Sequence, residues 1–285
     1  MNAQSALANV STVIQAIERR IAEDPRGRGI ANLVQWGALE QAARTLSGAQ
    51  HVLILSGFYL ATPRAGETDG PPGAKTLGDA LSALGARVSY VTDDLNLPLF
   101  MAMGLADTHR YHPGVLEELA PSHVLSIERP GRAADGRYYS MRGEDISRFT
   151  APLDELLIQG RQRGLPTVAI GDGGNEAGMG NVAALVRRDV PHGQTIACVV
   201  ESDHLIVCGV SNFGAYGLVA ALEVLNGRAL MPTPDSAARD VEACVAGGGH
   251  CGQTYVRAPF VDGLPLEATR ELVAELTQWV RNGTS

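Results

Sequence analysis

Lysine is almost missing from this chain: Lys75 stands alone against 22 arginines. With 31 acidic residues the formal charge is −8, which disfavours nucleic acid or an anionic membrane as a partner. No apolar run approaches the length of a membrane span. The four cysteines, Cys198, Cys208, Cys244 and Cys251, contain no C-x-x-C pair, so free thiols in a reducing compartment are expected. Cys244, His250 and Cys251 fit no standard zinc spacing. There is no Walker motif, and no nucleophilic cysteine or Ser-His-Asp set is visible. Near the start, Val10, Val13, Ile14, Ile17 and Ile21 alternate with Glu18, Arg19 and Arg20. Residues 1–24 therefore read as an amphipathic helix, not as the unbroken apolar core of a signal peptide. A cytoplasmic protein is expected.

What the chain does have is a regular alternation of short apolar runs and helical periods. Strands are expected at 51–56, 88–91, 123–127 and 167–170, with further apolar runs at 196–200 and 205–208, of which one pair could be antiparallel. Helices are expected at about 36–46, 74–84, 97–105, 115–119, 152–163, 211–225, 235–245 and 266–280. Such alternation implies an α/β fold with a mainly parallel, or mixed, sheet covered by helices on both faces, a Rossmann-like three-layer architecture. With 285 residues and no long linker or repeat, a single domain over 1–285 is expected, and a homo-oligomer is allowed.

The densest chemistry lies in Gly171 to Asn181, directly after an apolar strand. Eleven residues hold five glycines, Asp172, Glu176, Asn175 and Asn181. Glycines let backbone N–H groups approach a ligand, and the two acids bind a metal or move protons. Three other loops follow strands, where ligands of open α/β sheets gather. Gly66 to Ala74 carries Glu67 and Asp69 on alternate positions. The loop after Ile127 carries Arg129, Arg132, Arg137 and Arg142 within fourteen residues, a set suited to two-point recognition of a carboxylate or phosphate. Arg129 and Arg132, nearest the strand end, are the candidates for substrate, and others are expected to pair with acids in the loop. Ser211 and Asn212 open a helix whose bare N–H groups would accept an anion, with Ser211 as a plain N-cap the simpler alternative.

Taken together these loops resemble the D-glutamate cyclase family. The resemblance rests on Gly66 to Ala74, Glu128 to Gly136 with Met141-Arg142-Gly143, Gly171 to Asn181, Asp203 to Val207 with Gly209 to Asn212, and Val261-Asp262-Gly263. It departs from the family pattern at Gly247 to Gly252, where an earlier Val-Asp-Gly-type segment is expected. The resemblance implies a hydro-lyase that interconverts D-glutamate and 5-oxo-D-proline, with a small amino acid or lactam as the ligand. Against that chemistry, Asp172 and Glu176 would hold a divalent cation, Mn2+ or Mg2+, and Glu67 or Asp69 would act as base and acid in turn. Backbone N–H groups at Gly173, Gly174 and Asn175 would hold an oxyanion, and arginines the α-carboxylate. No nucleotide cofactor is expected. Two alternatives stay open: a kinase-like enzyme whose glycine–aspartate turn binds phosphate, and a metabolite-binding protein without turnover.

Overall fold

The computed structural model describes residues 3–283. The chain opens with α1 (Ala3–Ile21) and α2 (Ala38–Leu46), then β1 (His51–Ser56) and a hairpin of β2 (Tyr59–Leu60) with β3 (Ala65–Gly66). Next come α3 (Pro71–Ala83), β4 (Arg87–Thr92), α4 (Leu97–Ala102), β5 (Thr108–Arg110), α5 (Val115–Leu119) and β6 (His123–Ile127). After these follow α6 (Asp154–Gln162), β7 (Thr167–Gly171), α7 (Ala183–Asp189), α8 (Gly193–Ile196), β8 (His204–Val207) and α9 (Ser211–Asn226). The chain closes with α10 (Pro234–Ala246), the hairpin β9 (Phe260–Val261) with β10 (Leu264–Pro265), and α11 (Leu266–Gly283).

One six-stranded sheet, in the order β5-β4-β1-β6-β7-β8, organises the molecule, and every pairing in it is parallel. Alternate residues of β1 serve opposite cores, as the two-residue period of a strand requires. Val52 and Ile54 pack with α1, α2, α3, α9 and α11 on one face. Leu53 and Leu55 pack with α5, α6 and α7 on the other. Burial on both faces explains the unbroken apolar runs read in the sequence.

The sheet is not mixed. The apolar run at 196–200 does not pair with β8; it follows α8 and makes an isolated bridge from Cys198 to Ala133. Ile196, Ala197, Cys198 and Val200 are apolar because they fill the second core. After the glycine motif the chain makes a short 3-10 turn, Gly180–Val182, before α7. Among the described residues no helix is long and apolar enough to cross a membrane.

Strand order locates the chemistry. From β1 the chain moves outward to β4 on one side and later to β6 on the other, so the order reverses between β1 and β6. A crevice opens beyond the carboxyl ends of strands at such a reversal.

Candidate active site

Five carboxyl groups converge at that reversal. The segment between β1 and α3 supplies Glu67 and Asp69, the residue after β6 is Glu128, the residue after β7 is Asp172, and the β9–β10 turn supplies Asp262. All five residues are buried. A cavity of about 560 Å³ reaches Glu67, Glu128, Asp172 and Asp262 at its inner end, and Arg26, Arg28 and Arg142 also line it.

The start of α9 ties the cluster together. Asp69 accepts the N–H of Asn212 on Oδ1 at 2.7 Å and that of Ser211 on Oδ2 at 2.9 Å. The Ser211 N–H also reaches Asp172 Oδ2 at 3.2 Å, and its hydroxyl donates to Glu128 Oε2 at 2.5 Å. Asn212 in turn accepts the N–H groups of Gly70 and Gly73 on Oδ1, both at 2.9 Å. One oxygen each from Asp69, Glu128 and Asp172 lie within 4.8 Å of one another. Arg28 ion-pairs with Asp172 at 3.0 Å and with Asp262 at 3.2 Å, and Arg26 pairs with Asp262.

Five carboxyls thus face two guanidinium groups in a dry region, and they cannot all ionise freely. Burial pushes Glu67, Asp69 and Glu128 well above the ordinary carboxylate range, and their acidic neighbours add to the rise. Asp172 and Asp262 are raised by burial too, with Arg28 acting in the opposite direction on both. Asp69 and Asp172 face each other across the cluster, and Asp172 adds to the rise of Asp69. An excess of buried negative charge with three convergent oxygens fits a hard divalent cation.

Local backbone shape makes room for this crowding. Glu128 and Asp262 hold left-handed conformations, with φ of 43° and 52°, which non-glycine residues seldom adopt. Gly252 leaves space for the Glu67 carboxylate, since a Cβ there would lie 1.7 Å from Glu67 Oε1. The departing segment Gly247 to Gly252 therefore borders the site without offering an acid of its own.

The glycine motif plays a different part from the one its sequence suggests. Glu176 accepts the N–H groups of Asp172 at 3.1 Å and of Gly173 and Gly174 at 2.7 Å, folding the turn around its own carboxylate. Of the donors read as an oxyanion or phosphate cradle, the N–H groups of Gly173 and Gly174 are occupied by Glu176, and the carboxylates that converge with Asp172 are Asp69 and Glu128. Asn175 donates to the carbonyl of Tyr139 at 2.7 Å. Arg129 is fully buried, paired with Asp93 at 2.6 Å and donating to the carbonyls of Gly57 and Ala151. Arg132 pairs with Asp154 at 2.7 Å and Glu155 at 2.6 Å. Neither guanidinium lines the cavity. Ser211 and Asn212 do lie in the cluster, but Ser211 is the first helical residue, not a side-chain cap; the cap is Asp69.

Glu128, Asp262, Arg26 and Arg28 are the site residues that sequence reasoning did not select. Glu128 sits directly after a strand, the position that singled out Asp172, so a signal existed for it. The arginines belong to a connector 144 residues before Asp172, and only the fold brings Arg28 to it (172 minus 28).

The chain is 36% identical over 247 residues to a human protein named D-glutamate cyclase, mitochondrial; the match takes in 77% of this chain and 40% of that protein. A crystal structure of an exopolyphosphatase-related protein from Bacteroides fragilis superposes with a TM-score of 0.46 at 8% identity, over 88% of this chain and 61% of that one. The family model described as D-glutamate cyclase-like, C-terminal, matches residues 17–277, so the chain belongs to the D-glutamate cyclase-like family.

Proposed function

We propose that the protein is a lyase that interconverts D-glutamate and 5-oxo-D-proline plus water. The observation that carries this reading is the set of buried carboxyl groups, held from ionising together, at the inner end of a cavity that arginines also line. Ring closure joins the α-nitrogen to the carboxyl carbon of the side chain and expels one of that carboxylate's oxygens as water. Two protons leave the ammonium group and two are gained by the departing oxygen, so the reaction needs proton carriers and no co-reactant. Both reacting groups lie in one molecule, which removes most of the entropic cost of approach.

A carboxyl that stays protonated near neutral pH can donate to the departing oxygen, and an ionised neighbour can accept from the amine. Glu67 lines the cavity and, outside the three convergent oxygens, serves as the carrier in this reading. Asp69, whose oxygens accept three N–H groups counting that of Gly70, acts through Asp172 instead. Arg28 keeps Asp172 the more acidic of that pair. Asp69, Glu128 and Asp172 would hold a Mg2+ or Mn2+ ion, which when bound supplies Lewis-acid polarisation of the γ-carboxylate.

The kinase-like reading loses its main support, because Glu176 fills the turn that would cradle phosphate. A binding protein without turnover is separated by assay. Purified protein incubated with 5-oxo-D-proline and no nucleotide should yield D-glutamate. Saturable binding with no product in either direction would favour the binding protein.

A further inference from the structure

The ammonium, the γ-carboxylate and the lactam all change during the proposed reaction, but one group does not. The α-carboxylate is present in substrate and product alike. The proposed reaction puts the γ-carboxylate at the acidic cluster, so the α-carboxylate, at the other end of the ligand, needs a cation away from that cluster. Three arginines line the cavity, and two are taken: Arg28 by Asp172 and Asp262, and Arg26 by Asp262. Arg142 is exposed and, among the described residues, its hydrogen-bond partners are neutral.

Its present contacts are neutral and replaceable. The guanidinium donates to the Tyr255 hydroxyl and, at 3.3 and 3.5 Å, to the carbonyls of Gln253 and Gly252. It also stacks 4.5 Å from the centre of the Tyr255 ring. A stacked guanidinium keeps its in-plane donors available to a carboxylate.

The glycine motif holds Arg142 in position. Asn175 bonds the carbonyl of Tyr139, and Met141 lies over Gly173, where a Cβ would meet its sulfur at 2.5 Å. The two segments that seemed to be separate binding loops in the sequence are one assembly, with Arg142 at its exposed end.

We propose that Arg142 is the specificity-determining residue for the invariant carboxylate, and that the site selects small ligands carrying that group. This rests on the reading of the cavity as a D-glutamate and lactam site. The test compares 5-oxo-D-proline with 2-pyrrolidinone, the same ring without the carboxylate. Affinities for both are measured by calorimetry on the wild type, Arg142→Gln and Arg142→Lys. The wild type should prefer the acid by about ten- to a hundred-fold, the range for a lost charge-assisted hydrogen bond. Arg142→Gln should reduce that preference to near unity while leaving 2-pyrrolidinone binding almost unchanged, and Arg142→Lys should fall between. A residue that only latches the Tyr255 loop would weaken both ligands equally. Equal weakening, an acid preference that survives in Arg142→Gln, or no preference in the wild type would overturn the proposal. Turnover is scored separately: an Arg142-dependent preference without turnover sinks the lyase reading alone, and turnover with an unchanged preference sinks this inference alone.

Discussion

Asp69 caps helix α9 from 142 residues away, accepting the Ser211 N–H at 2.9 Å, a donor that also reaches Asp172 at 3.2 Å. The same carboxyl thus satisfies a helix end and belongs to the acidic cluster. Structural and chemical roles can be separated by how each variant fails.

Asp69→Asn should lower both stability and activity. An amide offers one oxygen where three N–H groups now point, so the side chain can no longer receive both N–H groups at the start of α9 on separate oxygens. Loss of a cap costs about 0.5–2 kcal/mol, which urea denaturation would resolve. Unchanged stability would mean that the cap is dispensable.

Glu176→Gln and Asp172→Asn should part company. Glu176 binds only the turn's own N–H groups, so its variant should lose about 1–3 kcal/mol for a buried unpaired donor while keeping its affinity for Mg2+ or Mn2+. Asp172→Asn removes a charge from the convergent set and should weaken ion binding at least about tenfold. Calorimetric titration of the ion into both variants checks this, and equal losses would return Glu176 to the ligand set.

Gly252→Ala should act at a distance on Glu67. The added methyl would occupy the place of its carboxylate and force it to turn away, while the backbone around it can stay. We expect kcat to fall about 10²-fold, the scale of a misplaced proton carrier, with a far smaller change in Tm. Normal kcat would remove Glu67 from the chemistry.

Stability should fall as pH rises. Glu67, Asp69, Glu128, Asp172 and Asp262 each have a folded-state pKa above the unfolded one, through burial first and acidic neighbours second. The folded chain therefore binds more protons, and the associated stability is present below the unfolded value of about 4 and lost above it. Asp107 and Asp203 are shifted the other way: hydrogen bonds outweigh burial and hold them low, so they act only in more acidic solution. Between pH 5 and pH 8 the Tm should drop, and Mg2+ or Mn2+ should restore more of it at pH 8, where protons compete least. A flat or rising Tm would contradict the cluster's electrostatics.

The sheet was legible in the sequence because both faces of its strands are buried, which leaves runs such as His51–Ser56 without polar interruptions. The run at 196–200 looked the same because core filling and strand pairing select the same residues. Loop positions were legible as well, since Glu67, Asp69 and Asp172 follow strands. Partners were not. Whether Arg129 meets a substrate or Asp93 depends on a contact across 36 residues, and whether Glu176 turns inward depends on the fold of its own loop. Arg28 and Asp262 meet only through the fold, in which Arg28 also donates to the carbonyl of Gly209, just before α9.

Ring opening of 5-oxo-D-proline, followed by chiral chromatography without nucleotide, tests the central claim most directly. Wild-type protein supplied with Mg2+ or Mn2+ should form D-glutamate, the same equilibrium mixture should be reached from D-glutamate, and Asp172→Asn should be slower by about 10²-fold or more. A folded wild-type protein that converts neither compound, or an Asp172→Asn variant as fast as the wild type, would contradict the account.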